Sequence, residues 1–185
     1  MVCYGIGSMQ DSIAAKYQFI LALIIKDLLD IKGSVSIFDP VMTCLDKEVC
    51  QYYGIDVISI NENCKRTVYK PTLFYMPHCA KQLYNNTISV NWSYDNLRNI
   101  ILIGNDFEDC YVGSQLERDL RKECPYLIPA STIVKSYVFP SELFEINNVF
   151  NNTSIQYFPE NSIPKDKNDS FWENVPFWQD SDNNK

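Results

Sequence analysis

The first sixty residues alternate short apolar runs with segments of helical periodicity, and this alternation constrains the fold more than any other feature. Val2 to Ile6, Ser34 to Phe38 and Asp56 to Ile60 each have the length and apolar content of a buried strand. Between them, apolar residues recur at helical spacing from Ile13 to Ile31 and over Leu45 to Tyr53. This order predicts a Rossmann-like α/β fold, with a mostly parallel twisted sheet flanked by helices.

The rest of the chain predicts further elements of the same kind. Strands are expected at Thr72 to Tyr75, Asn99 to Ile103, Thr132 to Phe139 and Ile155 to Phe158, with helices at Ala80 to Val90 and Ser114 to Glu123. Ser8 is the expected cap of the first helix, and Gly33 its expected end. The link from Asn63 to Pro71 is shorter than a helical crossover of about a dozen residues, so we expect an extended crossing there.

Length and composition favour one domain with a polar tail. The chain has 185 residues, of which 46% are hydrophobic, enough for a substantial core. We expect a Rossmann-type domain over residues 1–158 and a polar tail over residues 159–185 whose aromatic residues, Trp172, Phe177 and Trp178, dock on another surface. The first strand begins almost at Met1, which indicates an abrupt or a shortened start.

Charge and cysteine usage indicate a location and exclude some partners. The net charge of −7 disfavours direct binding to nucleic acid, and no apolar run is long enough to span a membrane. The seven cysteines form no Cys-x-x-Cys pair and the chain has one histidine, so neither a disulfide framework nor a metal site is indicated. Reduced thiols fit a cytoplasmic protein.

The predicted strands end in an unusually polar set of residues. In open α/β sheets, ligands bind beyond the carboxyl ends of the strands, and these ends meet at one edge. The candidate cofactor-binding residues at these positions are Gly5, Gly7, Ser8, Asp39, Pro40, Asn61, Glu62, Pro77, His78, Cys79 and Asn105. The cofactor expected there is a nucleotide or S-adenosylmethionine.

The glycine turn and Asp39 are the residues that favour such a ligand. Gly5 and Gly7 let the backbone approach a ligand, and the amides that follow Ser8 favour an anion. The third glycine of the dinucleotide motif is replaced by Gln10, and the chain has no Walker lysine, so a tight turn without a ligand stays open. Asp39 could accept from a ribose hydroxyl or could simply form an Asp-Pro turn.

Two cysteines and the histidine raise other chemistry. His78 and Cys79 precede a helix and could serve as base and nucleophile, or could make structural hydrogen bonds at the helix N-terminus. Cys124, followed by Pro125, could ligate haem through its sulfur, whereas a proline that ends a helix explains the same pair.

Several stretches resemble the Sensitivity to Red Light Reduced family, also called the SRR-like domain. They are Cys3-Tyr4-Gly5-Ile6-Gly7-Ser8, Ala15-Lys16-Tyr17-Gln18, Phe38-Asp39-Pro40-Val41, Pro71-Thr72-Leu73-Phe74-Tyr75-Met76-Pro77-His78-Cys79, Gln82-Leu83-Tyr84-Asn85-Asn86, Asn91-Trp92-Ser93, Asn99 to Asn105 and Phe150-Asn151-Asn152-Thr153-Ser154. They occur in this order over residues 2–158. The Met-Pro-His-Cys segment with its Leu-Tyr-Asn-Asn extension is the most specific of them.

The resemblance implies a regulatory protein in a circadian-clock input pathway, linked in animals to haem biosynthesis and located in the cytoplasm and nucleus. It implies a signalling partner that the sequence does not identify, and it supplies no established catalytic residue set. Two alternatives therefore stay open. One is a nucleotide- or S-adenosylmethionine-binding enzyme such as a transferase, and the other is a haem-responsive module that uses Cys124, or Cys79 with His78.

Overall fold

A computed structural model describes residues 1–140, 149–173 and 175 of the chain. Its strands are β1 (Val2–Tyr4), β2 (Ser36–Phe38), β3 (Asp56–Val57), β4 (Thr72–Met76), β5 (Ile100–Asn105), β6 (Lys135–Val138) and β7 (Thr153–Tyr157). Its helices are α1 (Ile13–Leu28), α2 (Cys44–Tyr52), α3 (Lys81–Ser89), α4 (Tyr94–Leu97), α5 (Glu117–Glu123), α6 (Leu127–Ile133) and α7 (Ser170–Glu173). A π-helical turn, Glu108–Val112, follows β5.

The seven strands form a single mixed sheet in the order β3-β2-β1-β4-β5-β7-β6. The strands β1 to β5 are parallel to one another, whereas β7 runs antiparallel to both β5 and β6. The expected α/β class with a mostly parallel sheet is therefore confirmed. The antiparallel insertion of β7 was not expected from the sequence.

Helices cover both faces of the sheet because successive residues of each strand point to opposite sides. On one face, Cys3 and Tyr75 belong to a buried cluster that includes Phe19 of α1. On the other face, Tyr4 and Phe74 belong to a second cluster, to which α3, α4, α5 and α6 contribute. The burial of the central strands β1 and β4 on both faces explains their continuous apolar runs in the sequence.

Several predicted boundaries were wrong at the first helix. β1 ends at Tyr4 rather than Ile6 because Gly5 turns into the left-handed region, with φ of +73°. The cap of α1 is Ser12, whose hydroxyl accepts from the amide of Ala15, and not Ser8. The helix ends at Leu28, before Gly33 is reached.

The later part of the chain holds elements that the sequence did not indicate. The predicted strand from Thr132 to Phe139 is wrong in its first residues, because α6 runs to Ile133 before β6 begins. α4 and the π-helical turn were also missed. The link from Asn63 to Pro71 does cross to β4 without a helix, as expected.

The part of the tail that the structure describes packs against the domain. Trp172 of α7 meets Trp92 edge to face with ring centroids 5.4 Å apart, and Phe171 stacks on Trp92 at 5.1 Å. Trp172 belongs to a short helix, where the sequence predicted a mostly extended tail. Phe177 and Trp178 lie outside the described residues. Among the described helices, none has the length and apolar content to cross a membrane.

Candidate functional site

The carboxyl ends of β1, β2, β4 and β5 meet at one edge of the sheet, which we call the carboxyl edge. The chain leaves β1 toward β2 and β3 on one side and returns to β4 on the other, so the strand order reverses beside β1. Ligands of open α/β sheets bind at such a switch point. The loops that follow β1 and β4 therefore form the centre of the candidate site.

The turn after β1 has the two left-handed glycines that its sequence predicted. Gly5 and Gly7 have φ of +73° and +85°. A Cβ at Gly5 would lie 2.5 Å from the sulfur of Cys79, closer than any side chain allows. Gly5 is thus required by the close approach of the β4–α3 turn, while Gly7 is half-buried and has only Ala15 near its Cβ position.

Asp39 links the ends of β1 and β2. Its Oδ2 accepts a hydrogen bond from the amide of Gly7 at 2.8 Å, and its Oδ1 accepts from the amide of Val41 at 2.9 Å. Asp39 is half-buried and is followed by the exposed Pro40. A carboxylate has about four acceptor sites, so this side chain can accept further bonds from ligand hydroxyls.

The amides that follow Ser8 hold a carboxylate of the chain itself. Oδ1 of Asp46 accepts from the amides of Met9 at 3.0 Å and Gln10 at 3.2 Å. Asp46 also forms a capping box with Thr43 at the start of α2. The carboxylate of Asp46 therefore occupies the amides at which the sequence predicted a bound anion. The side chain of Ser8 is buried in the same loop, next to Asp46.

Asp46 was missed in the sequence, although a signal for it existed. The spacing Thr43-x-x-Asp46 is a capping-box pattern. That pattern indicates a helix start and does not show that the same carboxylate reaches a loop 37 residues earlier.

His78 adopts a left-handed conformation with φ of +54°, and its ring holds the segment that precedes β7. Nε2 of His78 lies 3.0 Å from the carbonyl of Val149, which also accepts from Nε2 of Gln18 at 3.1 Å. Gln18 was missed because a buried glutamine on a helix gives no distinct signal. His78 therefore has the structural hydrogen bond that was the alternative to a role as a base.

Cys79 is a buried thiol between β4 and α3. Its Sγ donates a long hydrogen bond to the carbonyl of Tyr4 at 3.5 Å. Burial raises the pKa of this thiol far above its ordinary value, and nearby Cys64 and Asp39 raise it further. A neutral thiol is a poor nucleophile, so the position favours packing against Gly5 over reactivity. Pro77, which precedes His78, is likewise buried.

Asn61 and Glu62 follow β3 but bond within their own surroundings. Oδ1 of Asn61 accepts from the amide of Asn63 at 2.9 Å. Glu62 accepts from Tyr4 at 2.5 Å and from two nitrogens of Arg66 at 2.7 and 3.0 Å. The bonds from Arg66 lower the pKa of Glu62, against the opposing effect of burial. These residues anchor the β3–β4 link to the sheet.

Asn105 closes the edge at β5 together with two tyrosines. Its amide N–H donates to the hydroxyl of Tyr84 at 2.8 Å, and its Nδ2 donates to the hydroxyl of Tyr111 at 2.9 Å. Tyr84 in turn donates to the carbonyl of Met76. Oδ1 of Asn105 is buried and has no partner among the described residues. Tyr84 and Tyr111 were missed because aromatic residues at helical spacing indicate only a core.

Cys124 lies away from this edge, at the end of α5. Its side chain is completely buried in the cluster that contains Leu120 and Leu127, and burial raises the pKa of its thiol to about 11. No group of three or more His, Cys, Asp or Glu side chains with metal-site geometry occurs within residues 1–140, 149–173 and 175.

These features define a Rossmann-like α/β protein with a candidate ligand site at the carboxyl edge of its sheet. The chain belongs to the SRR1 domain family, whose model matches residues 1–157. The resemblance seen in the sequence motifs is thereby confirmed.

Three relatives illustrate this membership. The chain is 31% identical over 159 residues to Protein SENSITIVITY TO RED LIGHT REDUCED 1 of Arabidopsis thaliana. The aligned residues make up 85% of this chain and 58% of that protein. It is 36% identical over 132 residues to an SRR1-like protein of Mus musculus, covering 70% and 53%. It is 28% identical over 175 residues to an SRR1-like protein of Drosophila melanogaster, covering 93% and 59%.

The chain thus spans little more than half the length of these curated relatives. No solved structure matches it.

Proposed function

We propose that this SRR1-family chain is a regulatory protein that acts by binding a nucleoside-containing small molecule at the carboxyl edge. The observation that carries the proposal is the bond from the Gly7 amide to Asp39, which joins the glycine turn of β1 to the acid that ends β2. Nucleotide-binding α/β folds place such an acid on a ribose hydroxyl, next to the glycine turn of the first strand. The unsatisfied Oδ1 of Asn105 is a further acceptor at the same edge.

The position of Asp46 narrows the ligand class. A phosphate that binds the amides of Met9 and Gln10 would have to displace the carboxylate of Asp46 and would be repelled by its negative charge. This favours a nucleoside without a phosphate at the turn, such as S-adenosylmethionine, over a dinucleotide. The absence of the third glycine of the dinucleotide motif supports the same choice.

The strand order supports an S-adenosylmethionine ligand by analogy. An antiparallel β7 between β5 and β6 at the end of a parallel sheet is typical of S-adenosylmethionine-dependent methyltransferases. This likeness is one of fold and assigns no catalytic residue. A transferase is therefore the second candidate. Formation of S-adenosylhomocysteine in cell extract with the purified chain added, above the level formed by the extract alone, would distinguish it from a protein that only binds.

The regulatory part of the proposal rests on the family. A relative bears the name SENSITIVITY TO RED LIGHT REDUCED 1, and we propose the same kind of role here, in a circadian-clock input pathway and, by family analogy, in the regulation of haem biosynthesis. We propose a cytoplasmic and nuclear location with it. A haem-responsive role has less support, because the sulfurs of Cys79 and Cys124 are both enclosed.

A thermal-shift panel tests the ligand. S-adenosylmethionine or S-adenosylhomocysteine should raise stability by about 2.7 kcal/mol at a hundredfold excess over Kd, and ATP and NAD should raise it less. Asp39→Ala should abolish the ligand-dependent shift, whereas Asp56→Ala, at the exposed start of β3, should keep it. The proposal is wrong if no adenosine compound shifts the melting temperature, or if the shift survives in Asp39→Ala.

The regulatory role needs a separate measurement. Loss of the protein should alter the phase or period of clock-gene expression, and the unaltered chain and Asp56→Ala should both restore it. Asp39→Ala should fail to restore it if ligand binding is the means of regulation. Full rescue by Asp39→Ala would mean that the role in the clock does not depend on ligand binding at Asp39.

A further inference from the structure

α1 carries a second apolar face that nothing in the described structure covers. Its inner face packs on the sheet through Ala15, Phe19, Ala22 and Ile25. Its outer face exposes Ile13, Ile20, Ile24 and Leu28, whose exposed fractions range from 49% to 79%. A helix that is apolar on both sides is typical of one buried on both sides.

The four outer side chains form one continuous stripe. At about 100° per residue, Ile13, Ile20, Ile24 and Leu28 lie within about 80° of one another around the helix. Their spacing of seven, four and four residues resembles the seam along which two helices pack. Isolated exposed apolar residues are ordinary, but a stripe along the whole length of a helix indicates an interface.

Two charged residues flank this stripe on the same side. Lys16 and Asp27 are both exposed, and neither forms an ion pair with any other described residue. They lie near opposite ends of the helix. When the helix is turned end to end, the position of the positive charge is therefore taken by the negative charge, and the reverse.

We propose that α1 forms an antiparallel homodimer interface with α1 of a second copy of this chain. A two-fold axis between Ile20 and Ile24 brings Ile20 of each copy against Ile24 of the other. In an antiparallel pair, the same flank of each helix faces its counterpart. With a rise of about 1.5 Å per residue, Lys16 and the partner's Asp27 then lie within about 1.5 Å of the same height along the axis.

The proposed occupant follows from this self-complementarity. Two symmetric Lys16–Asp27 pairs form beside one apolar seam, as an isologous interface requires. A second copy supplies the complementary charges by symmetry, whereas a different protein would need a matching apolar stripe and a matching pair of charges of its own.

Sedimentation velocity of the full chain over a wide concentration range tests the interface. The unaltered chain of 21.5 kDa should sediment as a dimer. Ile24→Glu should raise the dimer dissociation constant about tenfold or more, because a buried unpaired charge costs at least 1.4 kcal/mol. Circular dichroism should show that Ile24→Glu is folded, since the side chain is exposed in the single copy.

Charge reversal decides the orientation. Lys16→Glu alone and Asp27→Lys alone should each weaken the dimer, because each places like charges together. The double variant Lys16→Glu/Asp27→Lys, or an equimolar mixture of the two single variants, should restore it. A monomer at all concentrations, a dimer unaffected by Ile24→Glu, or a failure of the double variant to recover would each overturn the proposal.

Discussion

The carboxylate of Asp46 accepts a hydrogen bond from the backbone amide of Met9 at 3.0 Å, so a side chain of α2 organises the loop that leads into α1. The same oxygen accepts from Gln10, and the other oxygen accepts from the amide of Thr43. Asp46 is almost completely buried. Three backbone donors thus depend on one charged group, which explains how a buried aspartate is tolerated.

Asp46→Asn should lower the free energy of unfolding by about 2 kcal/mol, because its amide group places donors opposite backbone donors. Urea denaturation at neutral pH measures the loss. Asp11→Asn is the matched control, since Asp11 is exposed in the same loop and should change stability by less than about 0.5 kcal/mol. Equal stability of the two variants would contradict the bonding of Asp46.

Stability should also fall in acid through Asp46. Burial alone would raise the pKa of this carboxyl, but the bonds from Thr43 and Gln10 outweigh burial and leave its pKa below the ordinary value. A group with a lowered folded pKa stabilises the protein above its unfolded pKa, and this contribution is lost as the pH falls through the folded pKa. The free energy of unfolding should therefore decline below about pH 4, and less steeply in Asp46→Asn.

Gly5→Ala should destabilise the chain by about 2 to 4 kcal/mol, because it combines left-handed strain with a clash against the sulfur of Cys79. The double variant Gly5→Ala/Cys79→Ala should recover the part of the lost free energy of unfolding that is due to the clash, but not the part that is due to the left-handed backbone. Gly33→Ala, with no atom near its Cβ position and no left-handed φ, is the control and should be neutral. The measurement is the midpoint of urea denaturation. A neutral Gly5→Ala would show that the turn can relax.

Tyr84→Phe should cost about 1 to 3 kcal/mol, because it leaves the amide of Asn105 and the carbonyl of Met76 unsatisfied in the core. Tyr84 is fully buried, so no water replaces its hydroxyl. Tyr52→Phe is the control, since Tyr52 is 85% exposed. Thermal unfolding of both variants provides the comparison, and equal melting temperatures would refute the role of the hydroxyl.

The sequence predicted the parallel half of the sheet because its strands are short and apolar and because helices follow β1, β2 and β4. It also predicted the edge at which Gly5, Gly7 and Asp39 lie together. It did not predict β7 between β5 and β6, because strand pairing is decided by contacts distant in the chain. Nor did it predict that Asp46 fills the amides after Ser8, since that bond joins elements 37 residues apart.

His78 offers a test that separates backbone strain from hydrogen bonding. Its ring bonds to Val149 while its backbone has φ of +54°, so a substitution changes both effects. His78→Ala should lose the bond and keep the strain, at a cost of about 2 kcal/mol. His78→Gly should lose the bond and relieve the strain, and should be more stable than His78→Ala by about 1 kcal/mol.

Gln18→Ala removes the other hydrogen bond to the carbonyl of Val149. Gln18 lies within α1, so its backbone carries no left-handed strain that a substitution could relieve. Gln18→Ala should therefore cost about 1 to 2 kcal/mol, and Gln18→Gly, in the middle of α1, should be worse than Gln18→Ala by about 1 kcal/mol. Denaturant unfolding of the four variants gives opposite Gly–Ala orders at the two positions. The same order at both positions would mean that the backbone of His78 is not held in the left-handed region.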